Sequence, residues 1–164
     1  MRTVVIGVGN PTLTDDGVGP HAVRELSVRM DADPDVDVAE LCAGGLRLME
    51  AMAGYDRAIV VDALVVGDLP AGTTVELNSD DLVGTKNLGC AHDMSLPYAL
   101  DLGRVTGVAL PAEIRILGVR AMDVTTFGEA LTAPVAAMVP ALVDRLLSLL
   151  GQPAGAAYLE RTQA

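Results

Sequence analysis

Two adjacent carboxylates, Asp15 and Asp16, lie within Gly7-Val8-Gly9-Asn10-Pro11-Thr12-Leu13-Thr14-Asp15-Asp16-Gly17-Val18-Gly19-Pro20. A third, Asp62, follows the apolar run Ala58-Ile59-Val60-Val61. One of the two histidines, His92, stands in Cys90-Ala91-His92-Asp93-Met94-Ser95, just ahead of a helical pattern. The partial positive charge at a helix N-terminus disfavours imidazolium, so this ring is expected in the neutral form that ligates metals. Two carboxylates brought together must share a proton or a cation, and an imidazole beside them favours the cation. Asp16, Asp62 and His92 therefore make a set of two oxygens and one nitrogen that suits a divalent transition metal and leaves positions open for water or substrate. The alternative is an aspartic-type pair, Asp16 and Asp62, holding one proton and activating water directly. Residue types alone leave both mechanisms open.

Each residue also has a plainer role. Asp15 is expected to cap the first helix, a role that cannot absorb both acids. Asp62 could bond to backbone amides of the next turn. His21 reads as a surface or capping residue in the first turn of helix one. Cys42 and Cys90 read as thiols, too few for a disulfide framework, with Cys90 a bystander to His92. The first loop is a poor dinucleotide site, because the third glycine of G-x-G-x-x-G would fall at Thr12, and Asp15-Asp16 would repel a pyrophosphate.

These residues need elements to hold them. Short β-branched runs alternate with helical patterns, the signature of a parallel sheet covered on both faces. Thr3 to Val8 is a continuous apolar strand, as burial on both faces demands. Val23, Leu26 and Met30 recur at helical spacing after Pro20. Val36 to Leu41 is the second strand, and Leu46, Met49 and Met52 mark a helix ending at Gly54. Arg57 to Ala63 is the third strand, Thr73 to Leu77 a shorter one, and Asn78 to Ala91 a loop. A helix follows with Ser95 as cap and Pro97 in its first turn. Glu113 to Val119 is the last strand and Val135 to Leu150 the last helix. The expected fold is a three-layer α/β/α sandwich with a mostly parallel central sheet of about five strands. Residues 1–150 form one domain, and 151–164 a loosely held tail.

The chain has 164 residues, 11 Lys and Arg against 22 Asp and Glu, and a formal net charge of −11. Nucleic acid is excluded as the main partner, since phosphate neutralisation needs a basic stripe and aromatic stacking platforms are only 2% of the residues. An anionic membrane surface is an equally poor partner. The most apolar late stretch, Ala133 to Leu150, contains Pro140, Asp144 and Arg145, too interrupted for a span of ~20 clean residues. A cytoplasmic protein is expected, and a monomer, since neither a heptad seam nor a long apolar edge strand is present.

From Met1 to about Leu150 the chain resembles the hydrogenase maturation proteases. The resemblance rests on Gly7-Val8-Gly9-Asn10-Pro11, Asp15-Asp16-Gly17-Val18-Gly19, Gly44-Gly45, Tyr55-Asp56-Arg57 leading into Val60-Val61-Asp62-Ala63, Pro70-Ala71-Gly72-Thr73, and His92-Asp93-Met94-Ser95-Leu96, in that order. It implies an endopeptidase that removes a C-terminal extension from the large-subunit precursor of a nickel-containing hydrogenase after metal insertion. It also implies that Asp16, Asp62 and His92 bind nickel, supplied by the substrate, or another divalent ion. Gly44 and Gly45 carry over as substrate-loop residues.

The chain departs from the family pattern in two places. Gly118-Val119 is followed by Arg120-Ala121-Met122-Asp123, where many relatives carry an acidic residue and a proline, so a different large subunit is expected as client. Cys42-Ala43 precedes Gly44-Gly45, where an aspartate is common. Two rival readings stand beside the resemblance. Peptidyl-tRNA hydrolase shares a Gly-x-Gly-Asn-Pro opening, but it needs a histidine where this chain has Asp15-Asp16-Gly17, and the charge of −11 opposes tRNA. A non-proteolytic metal-sensing or chaperone module would use the same three ligands without cleavage.

Overall fold

The structure is a computed structural model that describes residues 1–65, 68–78 and 95–151. Five strands, β1 (Thr3–Val8), β2 (Val36–Leu41), β3 (Arg57–Leu64), β4 (Thr74–Asn78) and β5 (Glu113–Arg120), form one sheet in the order β2-β1-β3-β5-β4. All neighbours run parallel except β4, which lies antiparallel on β5 at the sheet edge. The helices are α1 (Val18–Arg29), α2 (Gly45–Met52), α3 (Leu96–Thr106) and α4 (Ala133–Leu149), with a 3-10 turn over Thr14–Gly17. This is the expected sandwich.

Strand alternation divides the apolar residues between two cores. Val5, Ile59, Val61, Leu117 and Val119 face α1 and α4, meeting Val18, Leu26, Val139, Leu142 and Leu146. Val4, Ile6, Ala58, Val60, Ile114 and Ile116 face α2 and α3, meeting Leu48, Met52, Leu96 and Leu100. β1 is buried along its whole length, whereas the edge strand β2 is only partly covered, with Asp37 and Glu40 exposed. Arg29 pairs with Asp144, joining α1 to α4. Buried Arg57 donates to the Leu149 carbonyl at 2.6 Å, holding the end of α4 to the base of β3.

Element bounds shift by a residue or two from the sequence reading. The third strand runs on to Leu64, and the fourth covers Thr74–Asn78. Ser95 occupies the position before α3, but its side chain makes no capping bond; its carbonyl accepts from Ala99 N–H. The expectation for residues 152–164 lies outside the described residues.

The chain leaves β1 to one side for β2 and later returns on the other side as β3. The crevice at the carboxyl ends of β1 and β3 is thus the switch point of the sheet, where open α/β folds bind their ligands. Asp16 follows β1, and Asp62 stands near the end of β3.

Candidate functional site at the β1–β3 switch point

The first loop is built around close backbone approaches. Gly9 has φ +135°, and a Cβ there would lie 1.8 Å from the Asp16 carbonyl oxygen. Gly19 sits on the strands themselves, where a Cβ would meet the Val8 and Val61 carbonyl oxygens at 2.3 and 2.7 Å. Glycine at these two places brings the start of α1 directly onto β1 and β3. The loop then closes on itself: Asn10 N–H donates to the Asp16 carboxylate at 2.6 Å, and Asn10 Oδ1 accepts from Thr12 N–H and Oγ1. Half-buried Asp16 is held in place by its own loop.

Asp62 pairs in register with Gly118 of β5 and alternates onto the face of Ala58 and Val60. Burial pushes its pKa up to about 7; the charge of Asp16 adds to the rise, and the Ala63 N–H opposes it. The two carboxylates therefore lie within electrostatic reach, one of them poised where a proton is gained or lost near neutrality. That arrangement suits a shared proton or a shared divalent cation.

Asp15 does not cap α1. Gly17 occupies that position without any side-chain bond. The Asp15 carboxylate is fully buried and accepts from Met122 N–H (2.9 Å), Asp123 N–H (3.1 Å), Thr132 N–H (2.7 Å) and Thr132 Oγ1 (2.8 Å). Burial alone would raise its pKa, but these donors outweigh it and hold the group below the usual carboxylate value. The reason is positional: the 3-10 turn carries Asp15 away from the first amides of α1 and toward the segment after β5. Sequence reasoning missed this role. Thr132 before Ala133-Pro134 has the signature of a helix start, and it does sit at the cap position of α4, but its pairing with a residue 117 positions away leaves no local trace.

His21 is partly exposed at the start of α1, with Nε2 3.1 Å from the Glu129 carbonyl. Gly44 precedes α2 in extended conformation, and buried Gly45 opens that helix with φ +52°. Both follow β2 on the same sheet edge as Asp16 and Asp62. Cys42 is an exposed free thiol. His92 and Cys90 lie outside the described residues. Among the described residues, no group of three or more His, Cys, Asp or Glu is placed to hold a metal. No described helix is long and apolar enough to cross a membrane.

The hydrogenase maturation protease family model matches residues 20–149. The chain is 29% identical to the hydrogenase 2 maturation protease of Escherichia coli strain K12 over 151 residues, covering 92% of this chain and 91% of that protein. It is 30% identical to the hydrogenase expression/formation protein HupM of Azotobacter chroococcum mcd 1 over 150 residues, covering 89% and 70%. Its fold is similar to that of the solved hydrogenase maturating endopeptidase HybD from E. coli, with a TM-score of 0.78, 28% identity, and coverage of 92% and 93%. A sheet that sets two carboxylates at its switch point, matched over nearly its whole length by such relatives, places this chain in the hydrogenase maturation protease family.

Proposed function

We propose that this chain is the endopeptidase that trims a C-terminal extension from the large-subunit precursor of a nickel-containing hydrogenase, acting after the metal has been inserted. The observation that carries this reading is the juxtaposition of Asp16 and Asp62, two carboxylates from separate segments that interact at the crevice between β1 and β3. The precursor's nickel is substrate here, held by the client and presented to the crevice. A cation relieves the repulsion between the two acids, so they fit that cargo; His92, on sequence grounds, adds the nitrogen. A set this small holds an ion weakly by itself. It completes the shell of an ion already bound elsewhere, which distinguishes loaded from empty precursor.

The ion and the carboxylates then divide the work of hydrolysis. The ion orients the segment bearing the scissile bond. Asp62, with its pKa near 7, holds or releases a proton at the attacking water. The protein acts as a cytoplasmic monomer, with Gly44 and Gly45 on the rim the substrate passes.

The test is to incubate the chain with nickel-loaded and nickel-free precursor and weigh the products by mass spectrometry. Loss of a C-terminal peptide from the loaded form alone supports the reading. Tight binding without truncation replaces it with a chaperone role.

A further inference from the structure

The segment from Ala121 to Thr132 joins β5 to α4, and its order is unusual for a surface loop. Met122 and Asp123 amides and the Thr132 amide and hydroxyl all bind the Asp15 carboxylate. Asp15 N–H donates to the Asp123 carbonyl at 2.9 Å, Thr14 N–H to the Gly128 carbonyl at 2.8 Å, and Gly128 N–H to the Thr12 carbonyl at 3.0 Å. Thr14 Oγ1 donates to the Thr126 carbonyl at 2.7 Å. The segment is thus fastened along its length to the residues that immediately precede Asp16.

On this fastened loop stand two large apolar side chains that the described residues leave exposed. Phe127, the only phenylalanine of the chain, is 85% exposed, and Met122 is 69% exposed. The donors gathered on the buried Asp15 carboxylate offset its desolvation, and the order they impose leaves the Phe127 ring exposed. Thr126, next to Phe127, is bonded to Thr14, two residues before Asp16, and Met122 is bonded to Asp15 itself. A chain whose bound ion reached Asp16 and Asp62 would lie alongside these side chains. Between residues 121 and 132 there are two carboxylates, Asp123 and Glu129, and no Lys, Arg or His. The complementary occupant carries apolar side chains next to basic ones.

Resting on the endopeptidase reading above, we propose that residues 121–132 form a preorganised recognition rim in which Met122 and Phe127 grip the precursor segment flanking its metal, and Asp15 with Thr132 are the positioning residues that hold the rim to the carboxylate loop. Preorganisation spares the binding step the entropy of ordering a loop. Client choice then resides in the side chains this rim presents.

The experiment uses the full chain and full-length nickel-loaded precursor, with steady-state processing followed by mass spectrometry. The double variant Met122→Ala/Phe127→Ala is expected to raise KM about tenfold or more, from lost apolar burial, with kcat within about twofold and an unchanged melting temperature. Phe127→Leu is expected to recover most of that loss. Thr132→Val removes the hydroxyl from Asp15 while Thr132→Ser keeps it. The valine variant is expected to lose amide-exchange protection at Met122 and Asp123 and to drop about fivefold or more in kcat/KM, with the serine variant close to wild type. Wild-type KM in the double variant, or wild-type protection and kinetics in Thr132→Val, would overturn the proposal. If wild type cuts the precursor and the double variant cuts it with unchanged KM, the rim alone is refuted; if wild type leaves the loaded precursor whole, the endopeptidase reading fails and the rim falls with it.

Discussion

Asp62 is placed where an ionised carboxylate destabilises the fold, and its replacement by the isosteric amide should reveal this as a pH-dependent gain. The ordinary aspartate value of 3.8 rises to about 7 in the folded chain, because burial and the neighbouring Asp16 charge both disfavour ionisation. Below pH ~4, Asp62 carries its proton folded or unfolded, so it adds no pH dependence. As pH rises from there to about 7, the unfolded chain has released the proton and the native chain still holds it. Over that window wild type loses stability at about 1.4 kcal/mol per pH unit, with a ceiling of roughly 4 kcal/mol. Solvent reaches the half-buried group, so a gain of about 1–3 kcal/mol is the realistic expectation for Asp62→Asn at pH 8. For a chain of this size, at about 2–4 °C per kcal/mol, that is a melting temperature higher by about 2–12 °C. The carboxylates whose pKa values are lowered, Asp15, Glu40 and Glu76 among them, are common to both proteins and cancel in the difference. Thermal melts at intervals from pH 5 to 8.5 should show the variant's advantage growing with pH and levelling off above about 7, in a protein that no longer processes precursor. An advantage of the same size at pH 5 and pH 8, or a variant less stable than wild type at pH 8, would rule out a raised pKa at Asp62.

Asp16→Ala, Asp62→Ala and His92→Ala are each expected to abolish processing while leaving far-ultraviolet circular dichroism unchanged; full processing by His92→Ala would remove that residue from the site. Gly9→Ala must move the Asp16 backbone as well as adopt φ +135°, so it should cost about 2–4 kcal/mol in urea unfolding and lose activity with it. His21→Ala forfeits one hydrogen bond to the Glu129 carbonyl, a loss of about 1 kcal/mol, and processing should still run to completion.

The strands and helices were legible because their apolar spacing is local. Thr3 to Val8 and Arg57 to Ala63 read as strands buried on both faces, and the two cores confirm why: successive residues of β1 and β3 serve opposite helical layers. That Asp16 and Asp62 come to one edge of the sheet was legible for a related reason, since the carboxyl ends of parallel strands share that edge. Asp15 was misread because a cap is a local expectation, whereas its partners Met122, Asp123 and Thr132 lie more than 100 residues away. Periodicity registers which face of an element is buried; it carries no record of which distant loop folds back against it. The segment after β5, with neither strand nor helix spacing, shows its purpose only through those contacts.

If the crevice between β1 and β3 receives the client's ion, side chains of this protein enter that ion's coordination shell. X-ray absorption at the nickel edge, measured on loaded precursor alone and in complex with the inactive Asp62→Asn protein and the wild-type protein, tests it most directly. Oxygen and nitrogen scatterers should join the nickel shell on binding wild type, and fewer should join with Asp62→Asn. A nickel spectrum unchanged by wild-type protein that nevertheless removes the C-terminal peptide would contradict it.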